Sequence, residues 1–192
     1  MTVLCLVLLG CCAASPLLAH PLRHVVTDPV LPVAIVSVLL LGAAAALAGE
    51  TDPLRGWRLG AALVLAVMVA TTAGSHVVRA VFRLMRREFL PTRARPRRPA
   101  TVDDADADAP ADGDRPEAVL RGGAWIGYLE RAAVAASVLA SFPEGIALVL
   151  AVKGVGRYAE LREPNAPEAF IIGTLASMLW ATAAAGVGHL LT

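Results

Sequence analysis

Long runs of apolar residues constrain this chain more than any other feature of its sequence. A bilayer core about 30 Å thick is crossed by a helix of about 20 predominantly apolar residues, because each residue adds about 1.5 Å. Hydrophobic residues make up 57% of the 192 positions and charged residues only 17%, so most of the chain lacks a water-facing side. The sequence therefore predicts an all-α, polytopic transmembrane helix bundle. Five runs of suitable length are evident, at residues 2–19, 30–48, 59–78, 124–140 and 169–191.

A sixth run, residues 143–160, is less apolar, and its start decides how it is interpreted. Ser141 as the N-cap, Pro143 in the first turn and Glu144 three residues after the serine form the pattern of a capping box. That pattern predicts a new helix at this point. The alternative is one long helix over residues 125–157 kinked at Pro143, because proline is tolerated within membrane helices.

The distribution of basic residues favours six spans over five. Arginine and lysine collect at the cytoplasmic ends of membrane helices, and an arginine-rich stretch follows the third run, so the connection there is expected to be cytoplasmic. Six spans place Lys153 and Arg157 on that same side, whereas five place them outside. We therefore expect a multi-pass protein of the cell (inner) membrane with both termini outside. The arginines of the stretch are Arg79, Arg83, Arg86, Arg87, Arg93, Arg95, Arg97 and Arg98.

The first apolar run has alternative interpretations as a secretory signal or as a lipoprotein signal ending at Cys11. No lysine or arginine precedes Arg23, so the basic start of a signal is missing, and cleavage would leave the arginine-rich stretch on the wrong side. We expect a retained span. Cys5, Cys11 and Cys12 all lie in this run, where neither a disulfide nor thiol catalysis is expected.

These spans divide the chain into two membrane parts joined by a linker. Residues 1–90 form an N-terminal three-helix part with a basic helical extension, and residues 122–192 form a C-terminal three-helix membrane domain. Between them, residues 91–121 are rich in proline, arginine and aspartate and predict a disordered cytoplasmic linker. The predicted spans are about 2–19, 30–48, 54–78, 123–141, 143–160 and 168–191.

The basic extension of the third helix has two interpretations. Arg79, Arg83, Arg86 and Arg87 are three or four residues apart or adjacent, so they share one helical face. As a topology anchor, the arginines reach up to lipid headgroups. As a recognition surface, they bind an anionic lipid or an acidic protein.

Ionisable residues within the C-terminal spans are the most informative polar feature, because charge inside a bilayer is costly and usually has a partner or a task. Glu130 lies about two turns into the fourth helix, and Lys153 and Arg157 approach the same depth from the fifth, which runs the other way. Glu130 is therefore expected to pair with one of these two cations. The predicted polar cluster comprises Glu130, Arg131, Lys153, Arg157, Glu160, Glu168, Thr174 and Ser177.

Two interpretations of this cluster remain open. In the structural interpretation, a buried ion-pair network fixes how three helices pack and needs no ligand. In the functional interpretation, the cluster lines a polar cavity for an ion, a proton or a lipid headgroup, with Glu130 as the protonatable or cation-binding group.

Three ordered blocks carry a resemblance to a known family. Residues 123–131 read GAWIGYLER, residues 151–161 read AVKGVGRYAEL and residues 168–177 read EAFIIGTLAS. These blocks resemble a bacterial family of small integral membrane proteins with no assigned function. The resemblance covers the chain from about residue 122 to its end and implies no reaction. It implies that Gly127, Glu130, Arg131, Lys153, Arg157, Glu160, Glu168, Gly173, Thr174 and Ser177 belong to the family's pattern.

The sequence carries no Ser-His-Asp arrangement, zinc spacing, phosphate loop or aromatic-basic nucleic-acid surface, so we expect no enzyme, cofactor, metal or nucleic-acid partner. The first functional hypothesis is a small channel, carrier or lipid-contacting module with the charged cluster as its polar site. The second is a non-catalytic scaffold or accessory subunit that recruits a cytoplasmic partner through its arginine-rich arm and linker. The expected partners are the bilayer, an anionic lipid or acidic protein at the arginines, and a second copy in a homo-oligomer.

Overall fold

The described part of the chain is all-helical. The computed structural model describes residues 1–19, 29–89, 123–158 and 166–192 and has no strand in these ranges, so the all-α prediction is confirmed. The predicted linker, 91–121, lies outside the described residues. The α-helices are α1 (Thr2–Ala14, followed by a 3-10 turn over Ser15–Leu18), α2 (Val30–Ala48), α3 (Trp57–Thr72), α4 (Gly74–Phe89), α5 (Gly123–Leu139), α6 (Glu144–Gly156) and α7 (Ala166–Leu190).

Three helices among the described residues are long and apolar enough to cross a bilayer. They are Val30–Ala48, Trp57–Met85 and Pro167–Leu190, the second of which joins α3 to most of α4. Thr2–Leu17 is a shorter apolar helix, and α5 and α6 have 17 and 13 residues. These helices fit a membrane-embedded protein, as the apolar runs predict.

The centre of the bundle is a close crossing of α3 and α7 through small residues. Ala62, Ala66 and Ala70 of α3 and Ala181 of α7 are fully buried. A Cβ on Gly188 of α7 would lie 2.9 Å from the Cβ of Ala66, so no larger residue fits there without a shift. Such residues allow the close backbone contact that holds membrane helices together. Around this pair, α1 and α5 pack on α3, α2, α4 and α5 pack on α7, and α6 packs chiefly on α5.

The first two helices run in opposite directions. The Sγ atoms of Cys5 and Cys12 lie 3.4 and 3.3 Å from the carbonyl oxygens of Ala44 and Ser37, so α1 and α2 are antiparallel. All three cysteines are free thiols. The Leu54 amide donates to the Leu191 carbonyl oxygen at 2.8 Å, which places the α2–α3 loop and the end of α7 at one end of the bundle.

The turn between α5 and α6 corrects the capping-box prediction. Ser141 has φ 54°, in the left-handed region, and the N-cap of α6 is Pro143, with no side-chain cap. The Phe142 amide donates to the Ser137 carbonyl oxygen at 2.8 Å and the Ser141 amide to that of Val138 at 3.0 Å. This is the Schellman pattern that ends a helix, so Ser141 terminates α5 instead of starting α6.

The helix boundaries differ from prediction at several other ends. One kinked helix over residues 125–157 is wrong, because α5 and α6 are separate helices that pack against each other. The third apolar run becomes helical at Trp57 and continues to Phe89, so the predicted extension is helical, and its Arg79 is exposed. The predicted fifth span, 143–160, corresponds to α6, which ends at Gly156.

A break at Ala73 interrupts the long α3–α4 helix. Carbonyl groups in the last turn of a helix have no amide partner within that helix. In α3, the carbonyl oxygen of Thr72 accepts a hydrogen bond from Ser75 Oγ at 3.2 Å. The carbonyl oxygen of Val69 accepts the Ala73 amide at 3.3 Å and also Trp180 Nε1 of α7 at 3.1 Å. Side chains therefore add hydrogen bonds to the backbone next to the break.

Candidate functional site

An ion pair between Glu130 of α5 and Lys153 of α6 forms the centre of the site. Lys153 Nζ donates to Glu130 Oε2, and each side chain is 17% exposed. Glu130 lies eleven positions before Ser141, and Lys153 lies eleven positions after Phe142. Because both helices rise about 1.5 Å per residue away from that turn, the two side chains reach the same depth.

A cavity of about 230 Å³ lies beside this ion pair, between α4, α5, α6 and α7. Phe82 of α4 and Phe170 of α7 form part of its apolar wall. A smaller recess adjoins it, and the same polar residues except Arg157 line both spaces. Six of the eight residues of the predicted cluster therefore meet in one place. They are Glu130, Arg131, Lys153, Arg157, Thr174 and Ser177.

Two hydroxyl groups of α7 face this cavity. Thr174 is 5% exposed and Ser177 is 7% exposed, and they are three positions apart, so they share one face of the helix. Thr174 Oγ1 is buried and has no hydrogen-bond partner among the described residues. An unpaired buried hydroxyl costs about 1–3 kcal/mol, which makes this atom a strong indication of a missing partner.

Arg131 lines the cavity but has a different partner from the one expected in a charge cluster. Its Nε and Nη2 atoms donate to the carbonyl oxygen of Thr71, at 3.2 and 3.1 Å, and its guanidinium lies 5.2 Å from the centre of the Tyr128 ring. The side chain is 6% exposed. Arg131 therefore caps the end of α3 from within the bundle, and its positive charge remains next to the cavity.

Glycine residues leave room for the walls of the cavity. A Cβ on Gly173 would lie 3.0 Å from Phe82 Cζ, and one on Gly127 would lie 3.4 Å from a terminal nitrogen of Arg131. A Cβ on Gly74 would lie 2.6 Å from Arg131 Cδ and 2.8 Å from Trp180 Cδ1. The absence of a side chain at these positions lets Phe82, Arg131 and Trp180 reach the interior.

A second, apolar groove of about 560 Å³ lies between α5 and α6. Leu129 of α5 and Leu148 and Val152 of α6 form its sides. The groove and the cavity share Glu130, Lys153, Arg157 and Ile126, so the ion pair stands at the boundary between them.

The remaining two residues of the predicted cluster are Glu168, which does not line the cavity, and Glu160. Glu168 is exposed in the first turn of α7, and Glu160 lies outside the described residues. Exposure of Glu168 follows from its place two residues after the start of α7, where acidic side chains are favoured by the helix dipole. No group of three histidine, cysteine or acidic side chains in the described ranges is placed to hold a metal ion.

Sequence reasoning missed three contributors to the site. Gly74 leaves room for the side chains of Arg131 and Trp180, and Phe82 lines the cavity from α4. Gly74, within an otherwise helical run, was a visible signal of close approach, as was Gly173. Nothing in the sequence marks the carbonyl group of Thr71 as the partner of Arg131.

The chain matches no family model, no curated protein and no solved structure with which it was compared.

Proposed function

We propose that this chain is a non-catalytic integral membrane protein whose cavity between α4, α5, α6 and α7 binds a negatively charged group. It acts as a carrier or lipid-contacting module, and it belongs with the small bacterial membrane proteins that its C-terminal blocks resemble. The observation that carries the proposal is the buried Thr174 hydroxyl, which has no partner among the described residues and faces a cavity lined by cations.

Charge favours an anionic ligand over a cationic one. Among the described residues that line the cavity, Arg131, Lys153 and Arg157 are cations and Glu130 is the one carboxylate. Lys153 already forms an ion pair with that carboxylate, so a bound cation would have to displace the Lys153 ammonium group. An anion instead accepts hydrogen bonds from Lys153, which has three N–H donors and uses one on Glu130.

The experiment is a thermal-stability titration of the purified full chain in a neutral detergent. A ligand that binds the folded state raises the melting temperature with its concentration. Glycerol phosphate should raise it and choline should not. Thr174→Val should remove most of the shift, whereas Thr182→Val should keep it, because Thr182 is exposed on α7 and does not line the cavity. Stabilisation by choline alone, or by neither compound, would overturn the proposal.

Six spans are part of this proposal. Support comes from the antiparallel pairs α1–α2 and α5–α6, and from the hydrogen bond that joins the α2–α3 loop to the end of α7. In this topology the cavity lies in the cytoplasmic half of the inner membrane, at the end of the bundle where α5 begins and α6 ends. A reporter enzyme fused after Thr192 should be active on the outer side of the membrane. Activity on the cytoplasmic side would indicate five spans.

A second function is favoured by the length of the helix over Trp57–Met85. Its 29 residues extend about 43 Å, more than the roughly 30 Å of a bilayer core, so its basic end projects into the headgroups or beyond. We propose that the arginines there attach an acidic partner or anionic lipids to the cytoplasmic face. Replacing Arg79, Arg83, Arg86 and Arg87 by glutamine should then abolish sedimentation of the partner with membranes while Thr174-dependent ligand binding persists.

A further inference from the structure

The groove between α5 and α6 is the strongest clue to what the cavity binds. Leu129, Leu148 and Val152 are 68%, 64% and 65% exposed, although they are apolar. In a bilayer, such side chains face lipid chains instead of water. The groove's volume of about 560 Å³ lies within the range of about 300–1,000 Å³ that is usual for ligand pockets.

The groove and the polar cavity meet at residues that line both of them. Glu130 and Lys153 belong to both, with the apolar groove on one side of the pair and the hydroxyl groups of Thr174 and Ser177 on the other. A ligand that fills both spaces must combine a polar anionic part with a long apolar part. That combination describes an amphiphile and excludes a bare ion.

We propose that an anionic membrane lipid binds across the ion pair, with its headgroup phosphate in the cavity and one acyl chain in the groove. The inference rests on the function proposed above and names the class of ligand. Lys153 donates to the phosphate with the N–H groups that Glu130 does not use, Arg157 adds a second cation at the cavity wall, and Thr174 donates its hydroxyl.

The position of the site along the helices suits a headgroup. Trp125 and Tyr158 are 70% and 64% exposed, and aromatic residues of this kind settle at the interface between the bilayer core and the headgroups. Lys153 precedes Tyr158 by five residues, about one and a half helical turns. A lipid phosphate therefore needs to move only slightly inward from the interface to reach the cavity.

The acyl chain and the headgroup can be tested separately on the purified full chain in neutral detergent. The probes are phosphatidylglycerol, phosphatidylcholine and glycerol phosphate, each measured by its effect on the melting temperature and by native mass spectrometry. Phosphatidylglycerol should bind at least about tenfold more tightly than either of the other two, because it alone supplies both a net negative charge and an acyl chain.

Two variants block the two halves of the site. Ala133→Phe places a ring in the groove from an exposed position on α5, and Arg157→Gln removes a cation from the cavity wall. Ala133→Phe should weaken phosphatidylglycerol binding about tenfold and leave glycerol phosphate unchanged, whereas Arg157→Gln should weaken both. The matched control is Ala147→Phe, at an exposed position of α6 that does not line the groove.

The outcomes separate this inference from the function on which it rests. Equal binding of phosphatidylglycerol and phosphatidylcholine, or equal effects of Ala133→Phe and Ala147→Phe, would overturn the lipid inference. Glycerol phosphate binding that is lost in Arg157→Gln would then still support an anion site. Absence of binding by phosphatidylglycerol and glycerol phosphate would overturn both.

Discussion

The guanidinium of Arg131 donates two hydrogen bonds to the carbonyl oxygen of Thr71, 60 residues earlier in the chain. Trp180 of α7 donates to the carbonyl oxygen of Val69, so side chains from two other helices bond to the last turn of α3. Both α5 and α7 therefore bond to the backbone next to the break at Ala73, and the same helices supply Glu130 and Thr174 to the cavity. Packing of the bundle and the geometry of the site are coupled at this point.

Gly74→Ala should destabilise the protein, because its Cβ would lie 2.6 Å from Arg131 Cδ and 2.8 Å from Trp180 Cδ1. Overpacking of this kind costs about 1–3 kcal/mol. Gly60→Ala is the control: Gly60 lies within α3, and its Cβ would meet nothing within 4 Å, so alanine should be neutral or stabilising there. The measurement is the melting temperature of both variants in detergent. Equal melting temperatures for Gly74→Ala and Gly60→Ala would contradict the prediction and show that Arg131 and Trp180 move aside without a loss of stability.

Breaking the Glu130–Lys153 ion pair on one side should cost more than removing both charges. Glu130→Gln leaves a largely buried ammonium group without its carboxylate, at a cost of about 3 kcal/mol, whereas the double variant Glu130→Gln, Lys153→Gln leaves no charge at either position. Membrane accumulation and melting temperature should therefore be lower in the single variant than in the double one.

Exchange of the two charges distinguishes a structural pair from a functional one. The variant Glu130→Lys, Lys153→Glu keeps an ion pair between α5 and α6 but moves the cation to the other helix. Stability should return close to that of the unaltered protein, while glycerol phosphate binding should fall, because the ammonium no longer occupies the position of Lys153. Full recovery of binding would show that the pair serves only to join the helices.

The sequence predicted that Glu130 pairs with Lys153 or Arg157, because the depth of each residue follows from counting along its helix. Glu130 and Lys153 are equidistant from the turn at Ser141 and Phe142, and two antiparallel helices of equal rise bring such residues to one level. Thr174 and Ser177 could be added because their spacing puts them on one face. These relationships are local to a helix or to a helical hairpin, so periodicity and spacing are sufficient.

Contacts that depend on tertiary packing could not be predicted from the sequence. Arg131 was expected among the carboxylates, yet it bonds to a backbone carbonyl, which every residue possesses and which no pattern marks. Ser141 was expected to start a helix, and it ends one instead, because the Ser-Phe-Pro-Glu pattern suits both roles and the left-handed backbone is not encoded by serine. The break at Ala73 lies within a continuous apolar run, and only its capping partners reveal it.

Ser141→Gly should stabilise the protein, because Ser141 holds φ 54° at the end of α5. A residue with a Cβ pays about 1–2 kcal/mol in the left-handed region, and glycine does not. Ala140→Gly, one residue earlier and outside that region, should instead lower stability by up to about 1 kcal/mol. Opposite shifts in melting temperature would confirm the Schellman turn, and a loss of stability in both variants would contradict it.

Thr174→Val should raise the melting temperature of the ligand-free protein while it weakens ligand binding. The hydroxyl of Thr174 is buried without a partner among the described residues, and its removal relieves about 1–3 kcal/mol of desolvation cost, whereas valine fills nearly the same volume. Titration with phosphatidylglycerol should then give a smaller rise in the variant than in the unaltered protein. A structural hydroxyl would behave in the opposite way, because its loss would lower stability with and without lipid. The direction of the melting-temperature shift in lipid-free detergent therefore shows whether the Thr174 hydroxyl serves ligand binding or the stability of the fold.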